Sequence, residues 1–263
     1  MQVKGWFRKE KHIERGNAHK TETRLIALSN SGAAAAIVVG AACIAAGWTW
    51  ALLLVAFFVS STMLSRFREA AKHARVGDVV EKGGNRDAWQ VISNGGVFAS
   101  LAVVSLFSDS ALVQAAATGA LATSTADTWA TEIGTLSHSM PKGILSRRVV
   151  EPGTSGGVTG IGIIASLAGA AFIALLALFV GWPLVSVCAA VVGGFSGSVT
   201  DSILGGSLQS KRWCEKCQRG TERAIHPCGT KSINAGGIRW LNNDLVNLVS
   251  SAGGAAVGLL CVL

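Results

Sequence analysis

Three aspartates stand at the ends of apolar stretches: Asp127 in TSTADTWATE, Asp201 in GSVTDS and Asp244 in WLNND. An acid at such a depth is costly to bury, which makes it a functional position by default. Asp87, in GGNRDAWQVISNGG, is a fourth. Glu132 follows Asp127 by five positions, roughly 140° further around a helix. Hard oxygen ligands gathered at helix ends suit Mg2+, which keeps waters and binds through one or two carboxylates plus substrate phosphates. These residue types therefore predict a shared acidic site, with Asp127, Asp201 and Asp244 as metal ligands. The competing reading makes each a solvated helix end, with Asp244 or Asn243 a plain N-cap.

Groups suited to phosphate lie near them in sequence. EPGTSGGVTG, at 151–160, is turn-forming and runs directly into an apolar stretch. Around Gly153, Thr154, Ser155 and Gly156 its N–H groups and hydroxyls can cradle an anion at a helix N-terminus. Glycines before a helix are also ordinary punctuation. Arg86, next to Asp87, offers a guanidinium fork to a phosphate. The chain has no GxxxxGK[ST] or HExxH motif, so any nucleotide is held in another way.

The stretch 211–231, KRWCEKCQRGTERAIHPCGTK, places Cys214 and Cys217 at CxxC spacing, followed by His226 and Cys228. Four soft ligands within fifteen residues can close a tetrahedral Zn2+ site in a structural role. Free thiols or a redox pair are the competing readings. Cys43, Cys188 and Cys261 fall inside apolar stretches and are expected to be inert packing residues.

The elements that position these groups are read from where charge is missing. Hydrophobic residues make up 50% and charged residues 14% of the 263, with a mean hydropathy of +0.45. That composition argues against an ordinary soluble domain. Residues 25–65 form an uncharged run of 41 and residues 152–200 one of 49; runs at 88–108, 110–126 and 245–263 add 21, 17 and 19. A span needs about 20 apolar residues, so each long run holds two helices and each shorter run one. The chain reads as an all-α polytopic membrane protein with no soluble domain of size. Seven spans are expected at about 27–46, 49–65, 90–108, 110–127, 157–180, 183–201 and 245–263. Six or eight are the alternatives, because Ala/Gly-rich segments are weakly apolar. Gly47-Trp48 and Gly181-Trp182-Pro183 mark the breaks inside the long runs.

Charge then fixes the expected orientation. With seven spans, all 23 Lys and Arg fall on one side, and that side is the cytosol. Residues 1–26 become a charged cytosolic segment with Trp6 and Phe7, and not a signal peptide. Residues 27–263 become a transmembrane catalytic domain with cytosolic loops at 66–89, 128–156 and 202–243. Asp109 is the only charge left outside. The expected location is the cell membrane, multi-pass, with the active site facing the cytoplasm. The net charge of +8 is an orientation signal first and suits an anionic leaflet or substrate; nucleic acid is not an expected partner.

Small residues recur in the spans. Gly193, Gly197, Asp201 and Gly205 repeat every four positions and share one helix face. Such spacing lets helix backbones approach closely in lipid.

Five ordered segments carry a family resemblance: GGNRDAWQVISNGG, ADTWATEIG (126–134), VEPGTSGGVTGIG (150–162), GSVTDSILGGSLQ (197–209) and GGIRWLNNDLVNLVS (236–250). From about residue 29 to its end the chain closely resembles the uncharacterised-domain integral membrane family DUF92, which includes transmembrane protein 19 and the plant phytyl-phosphate kinase. Carried over by motif, the polar set is Asn85, Arg86, Asp87, Gln90, Asn94, Asp127, Glu132, Thr154, Ser155, Asp201, Asn242, Asn243 and Asp244. The resemblance implies a phosphotransferase that uses Mg2+ and a nucleoside triphosphate, CTP or ATP, on an isoprenyl monophosphate. Arg86, Asp87, Asp127, Glu132 and Asp201 are the expected catalytic residues. Asn85, Gln90, Asn94, Asn242 and Asn243, with the 153–156 turn, are the expected binding residues. Many family members begin with a further hydrophobic segment, whereas residues 1–28 are charged here. A cytidylyltransferase making a CDP-lipid is one alternative. A transporter or lipid-translocating protein is another, and it predicts acids near mid-membrane and inverted repeats.

Overall fold

The computed structural model describes residues 28–77, 79–80, 85–108 and 110–263. The charged segment 1–26, with Trp6 and Phe7, and the outer acid Asp109 lie outside the described residues. Eight helices follow in order: α1 Asn30–Ala46, α2 Trp48–Arg66, α3 Glu69–Val76, α4 Ala88–Ser105, α5 Ala111–Gly134, α6 Gly160–Phe179, α7 Leu184–Ser207 and α8 Asn243–Leu260. Four of them, α2, α4, α6 and α7, are long and apolar enough to cross a membrane. α1 is apolar but shorter, at 17 residues.

α5 departs from the apolar pattern for a reason visible in the packing. Every residue from Ala115 to Ala126 is buried, so protein, not lipid, surrounds this helix. A helix in that position needs small residues, not hydrophobic ones. A Cβ on Gly119 would come 2.3 Å from Gly254 O, and one on Gly193 2.6 Å from the same oxygen. α5, α7 and α8 therefore touch backbone to backbone. The Thr123 hydroxyl, bonded to Gly119 O at 2.8 Å and Gly193 O at 3.2 Å, ties α5 to α7.

The two ends of the bundle differ in chemistry. Gly47, at φ 130°, ends α1 and lets α2 start at once. Gly181, at φ 79°, lies in the short turn between α6 and α7. At that end Trp50 meets Trp182 with ring centroids 4.9 Å apart and Phe98 at 5.2 Å. Every described Lys and Arg lies at the other end.

That charged end also carries strands and a short helix that the expected all-helical pattern omits. β1 (Lys142–Gly143) pairs with β2 (Gly157–Val158). β3 (Lys211–Cys214), β4 (Arg219–Thr221) and β5 (Ile233–Gly236) form an antiparallel sheet in the order β4-β3-β5. α3 lies between α2 and α4 with Lys72 as its buried residue.

Candidate functional site

The acids reach one place because the glycine contacts set the phase of the helices. Gly197 is so close to Thr123 that a Cβ there would lie 2.1 Å from its hydroxyl. Asp127 stands four residues beyond Thr123, and Asp201 four beyond Gly197. One helical turn past the tightest contact, each helix therefore presents its aspartate toward the other. Their charges act on one another, and Glu222 acts on Asp201 as well. Both aspartates line a cavity of about 1070 Å³ at the charged end of the bundle.

Most of the residues expected from sequence meet there. Asn85, Arg86, Gln90, Asn94, Asp127, Glu132, Gly153, Thr154, Ser155, Gly156, Asp201, Asn242, Asn243 and Asp244 all line this cavity. Several have structural duties besides. Asn242 caps α8, accepting from Leu245 N at 3.0 Å, so the cap falls one residue before Asn243 and two before Asp244, the expected caps. Asp244 is 7% exposed. The backbone oxygen of Arg86 accepts from Ser29 N at 3.0 Å, and its guanidinium lies 5.7 Å over the Phe58 ring. Burial lowers the Arg86 pKa from its ordinary value, and the charge of Glu132 opposes that shift.

Asp87 is placed differently. It caps α4 in a reciprocal box: its carboxylate accepts from Gln90 N at 3.0 Å, and Gln90 Oε1 accepts from Asp87 N at 3.1 Å. It is not among the residues lining the cavity. Glu132, expected to orient an acceptor or hold a second ion, is engaged in an ion pair with Lys72 and accepts from Ser65 Oγ at 2.6 Å. Lys72 also donates to Leu64 O at 2.6 Å and Ser65 O at 2.8 Å, the carbonyls at the negative end of α2.

The 151–157 turn folds back on the bundle. Gly156, at φ 76°, sits against α7 so tightly that a Cβ would lie 2.4 Å from Gly206 Cα. The first turn of α6 is capped separately, by Thr159 accepting from Gly162 N. The turn thus faces the cavity beside α7 and not as a collar on the start of α6.

Sequence reasoning missed Lys72, Glu222, Arg223 and Asn247, which line the same cavity. Glu222 accepts from Ser155 Oγ and from Gln209 Nε2, the latter at 2.9 Å. Asn247 stands one turn after Asn243 on α8, so helical periodicity could have found it. Glu222 and Arg223 sit between the two halves of the Cys/His motif, where only the ligands drew notice. No local signal marks Lys72.

Among the described residues, one group of three or more His, Cys, Asp or Glu ligand atoms lies within 4.8 Å of one another, and it is Cys214, Cys217, His226 and Cys228. Cys214 ends β3 and pairs with Arg219 across the β3–β4 hairpin, so Cys217 falls in the turn. A second tight turn brings His226 and Cys228 alongside, with His226 N donating to Thr230 O at 2.9 Å. His226 Nδ1 accepts from Cys228 N at 3.4 Å. Its Nε2 is buried without a partner among the described residues. Three sulfurs and an imidazole fit a closed Zn2+ site. The Cys228 thiol is lowered to about 6 by bonds from Thr230, while Cys217 is raised to about 11 by sharing its proton with Cys228.

The three aspartates do not converge to that spacing among the described residues. Asp201 Oδ2 and Asn247 Oδ1 are buried in the cavity wall without hydrogen-bond partners among the described residues. Such atoms call for a polar or cationic ligand. Asp127 and Asp201 are the carboxylates in this wall that could share a hard cation.

The cavity is amphipathic. Besides its charged residues the lining has an apolar side, a limb formed by Ala36, Val39 and Gly40 of α1 and Leu54, Val55 and Phe58 of α2. Val39 lies nine residues into α1, about 13 Å along its axis. A Cβ on Gly95 would lie 3.3 Å from Val39 and 3.7 Å from Leu54, so α1, α2 and α4 draw together there.

Comparison with known proteins agrees with this architecture. Residues 20–255 match the family model described as integral membrane protein DUF92. The chain is 29% identical to Protein PGR of Arabidopsis thaliana over 249 residues, covering 85% of each chain. An uncharacterized membrane protein of Methanocaldococcus jannaschii is 28% identical over 215 residues, 81% of this chain and 76% of that one. The chloroplastic Protein VTE6 of Arabidopsis thaliana is 27% identical over 242 residues, 89% of this chain and 65% of that protein. No solved structure matches the chain.

Proposed function

The chain belongs to the DUF92 family of integral membrane proteins, and from that premise we propose that it is a Mg2+-dependent isoprenyl-phosphate kinase. It would transfer the terminal phosphoryl group of a nucleoside triphosphate, CTP in preference to ATP, to an isoprenyl monophosphate. The observation that carries this reading is the amphipathic cavity itself. Its lining joins Asp127, Asp201, Arg86 and Arg223 to an apolar limb from α1, α2 and α4. Its ligand is then an amphiphile with a phosphorylated head and an apolar tail.

In the transfer, an anionic oxygen of the isoprenyl phosphate attacks the γ-phosphorus. The bond from that phosphorus to the β–γ bridging oxygen breaks, and a nucleoside diphosphate leaves. The acceptor oxygen is already ionised, so no strong base is required. The chain's task is positioning and charge stabilisation. A bound Mg2+ would supply charge neutralisation for the nucleotide phosphates. Asp127 and Asp201 would hold it, and Arg86 and the 153–156 turn would bind phosphate oxygens. Lys72 neutralises Glu132, leaving the aspartate pair as the anionic centre. By the excess of positive charge at this end, the site faces the cytoplasm of the cell membrane.

The test is incubation of detergent-purified protein with Mg2+, CTP or ATP, and a panel of isoprenyl monophosphates, followed by mass spectrometry. An isoprenyl diphosphate is the expected product. A CDP-lipid with released pyrophosphate would replace the kinase by a cytidylyltransferase. Absence of either product with every acceptor would remove the reading.

A further inference from the structure

The metal-ligand loop is also a wall of the cavity. β4 starts two residues after Cys217, and the chain passes through Glu222 and Arg223 before reaching His226 and Cys228. This connecting segment is anchored away from the metal site as well. Thr221 Oγ1 and Glu222 N both donate to Val79 O, at 3.3 and 2.8 Å. Arg223 Nη2 donates to Gly77 O at 2.9 Å. Ser232 Oγ bonds Arg223 O, which fixes the segment's backbone.

Those bonds turn the Arg223 side chain toward the cavity it lines, yet its buried Nε has no hydrogen-bond partner among the described residues. Arg223 is half-buried, and a guanidinium whose buried Nε lacks a partner can take an anion. Glu222, beside it, is held by Ser155 and Gln209, so the neighbouring carboxylate is turned to the 153–156 turn and α7.

We infer that Arg223 is a phosphate-binding residue, and that the metal held by Cys214, Cys217, His226 and Cys228 keeps it in the cavity. The ligand class is a phosphate ester or polyphosphate. This rests on the reading of the cavity as a phosphate site. It departs from the expectation of a purely structural ion, because loss of the metal removes the ties at Cys217 and His226 on either side of Arg223 and leaves its placement to hydrogen bonds alone.

The experiment uses the full chain in detergent and inorganic pyrophosphate as the probe, with affinity read by calorimetry and zinc by metal analysis. Native protein, Arg223→Gln, chelator-treated protein and chelator-treated Arg223→Gln are compared. Arg223→Gln should keep one zinc and bind pyrophosphate about 10-fold to 100-fold more weakly, the range for a lost charge-assisted bond. Zinc removal should weaken binding to a similar degree, and the two changes together should do no more than either alone. Restored zinc should recover the native protein only. Binding unchanged by Arg223→Gln or by zinc removal would overturn the inference, as would two effects that multiply in full. Loss of monodispersity on zinc removal would also count against it, since the ion would then support the whole fold.

Competition by CTP and by a short isoprenyl monophosphate identifies which phosphate Arg223 holds, as the competitor whose own affinity falls in Arg223→Gln. If neither affinity falls, the inference is wrong. Zinc- and Arg223-dependent pyrophosphate binding in a protein that transfers no phosphoryl group would keep this inference and end the kinase reading. Turnover with pyrophosphate binding unchanged in both variants would do the reverse.

Discussion

Lys72, on the short helix α3, forms an ion pair with Glu132 near the end of α5, sixty residues away, with side chains 8% and 22% exposed. The pair lines the cavity and ties α3 to the central helix. Breaking a buried pair costs more than deleting it, because the survivor is left charged and unpaired. Lys72→Met or Glu132→Gln alone should cost about 2–3 kcal/mol of stability, less than a fully buried pair because Glu132 keeps some water. The double variant should recover part of that loss. Thermal unfolding in detergent measures it, and strictly additive losses would contradict the pairing.

Asp127 and Asp201 face one another one turn above the contact of Thr123 with Gly197. Asp127→Asn and Asp201→Asn should insert and fold normally while turnover falls on the order of 10²–10³, the range for one lost electrostatic contact in a reacting site. Near-native turnover in both would exclude the proposed centre.

Asp87 separates capping from chemistry. Asparagine caps a helix about as well as aspartate, so Asp87→Asn should leave turnover and stability within a factor of about two, whereas Asp87→Ala should cost about 1 kcal/mol of stability. A large loss of turnover in Asp87→Asn at unchanged stability would give the carboxylate a catalytic duty.

Gly40 lines the apolar limb, and a Cβ placed there meets nothing within 4 Å. Gly40→Phe should therefore occupy the limb without strain and lower kcat/KM for long isoprenyl chains while sparing short ones. Each methylene displaced to water is worth about 0.8 kcal/mol. An equal loss for every chain length would mean that the tail lies elsewhere.

The Cys/His loop makes a chemical prediction that is independent of turnover. In zinc-free, reduced protein Cys228 is held down to about 6 and Cys217 up to about 11. Iodoacetamide should then modify Cys228 before Cys217 at neutral pH, since the thiolate is the nucleophile. The Cys228 rate should fall as pH drops through about 6, where its thiolate is protonated. Bound zinc should suppress both reactions. Peptide mapping by mass spectrometry reads the order, and faster modification of Cys217 would overturn it.

Much of this protein is determined by sequence alone, because a membrane imposes local rules. The uncharged runs locate where the long helices begin to within a few residues, although α5 and α7 continue seven and six residues past the expected ends at 127 and 201, and Gly47 and Gly181 mark turns that take positive φ. Asp127, Asp201, Asp244 and the 153–156 turn could be nominated because an acid or a glycine cluster beside an apolar run is conspicuous in one dimension. Tertiary structure alone decided what those residues face. The phase that turns Asp127 toward Asp201 comes from Gly197 pressing on Thr123, a contact between positions 74 apart in the chain. Lys72, Glu222 and Arg223 enter the cavity only because α3 and the β3–β4 hairpin fold back over the bundle's end. Their segments are short and polar and carry no periodic signal that could have announced it. Local patterning records which residues avoid lipid or water; which partners they meet is set by helix phase and by loops closing over long separations.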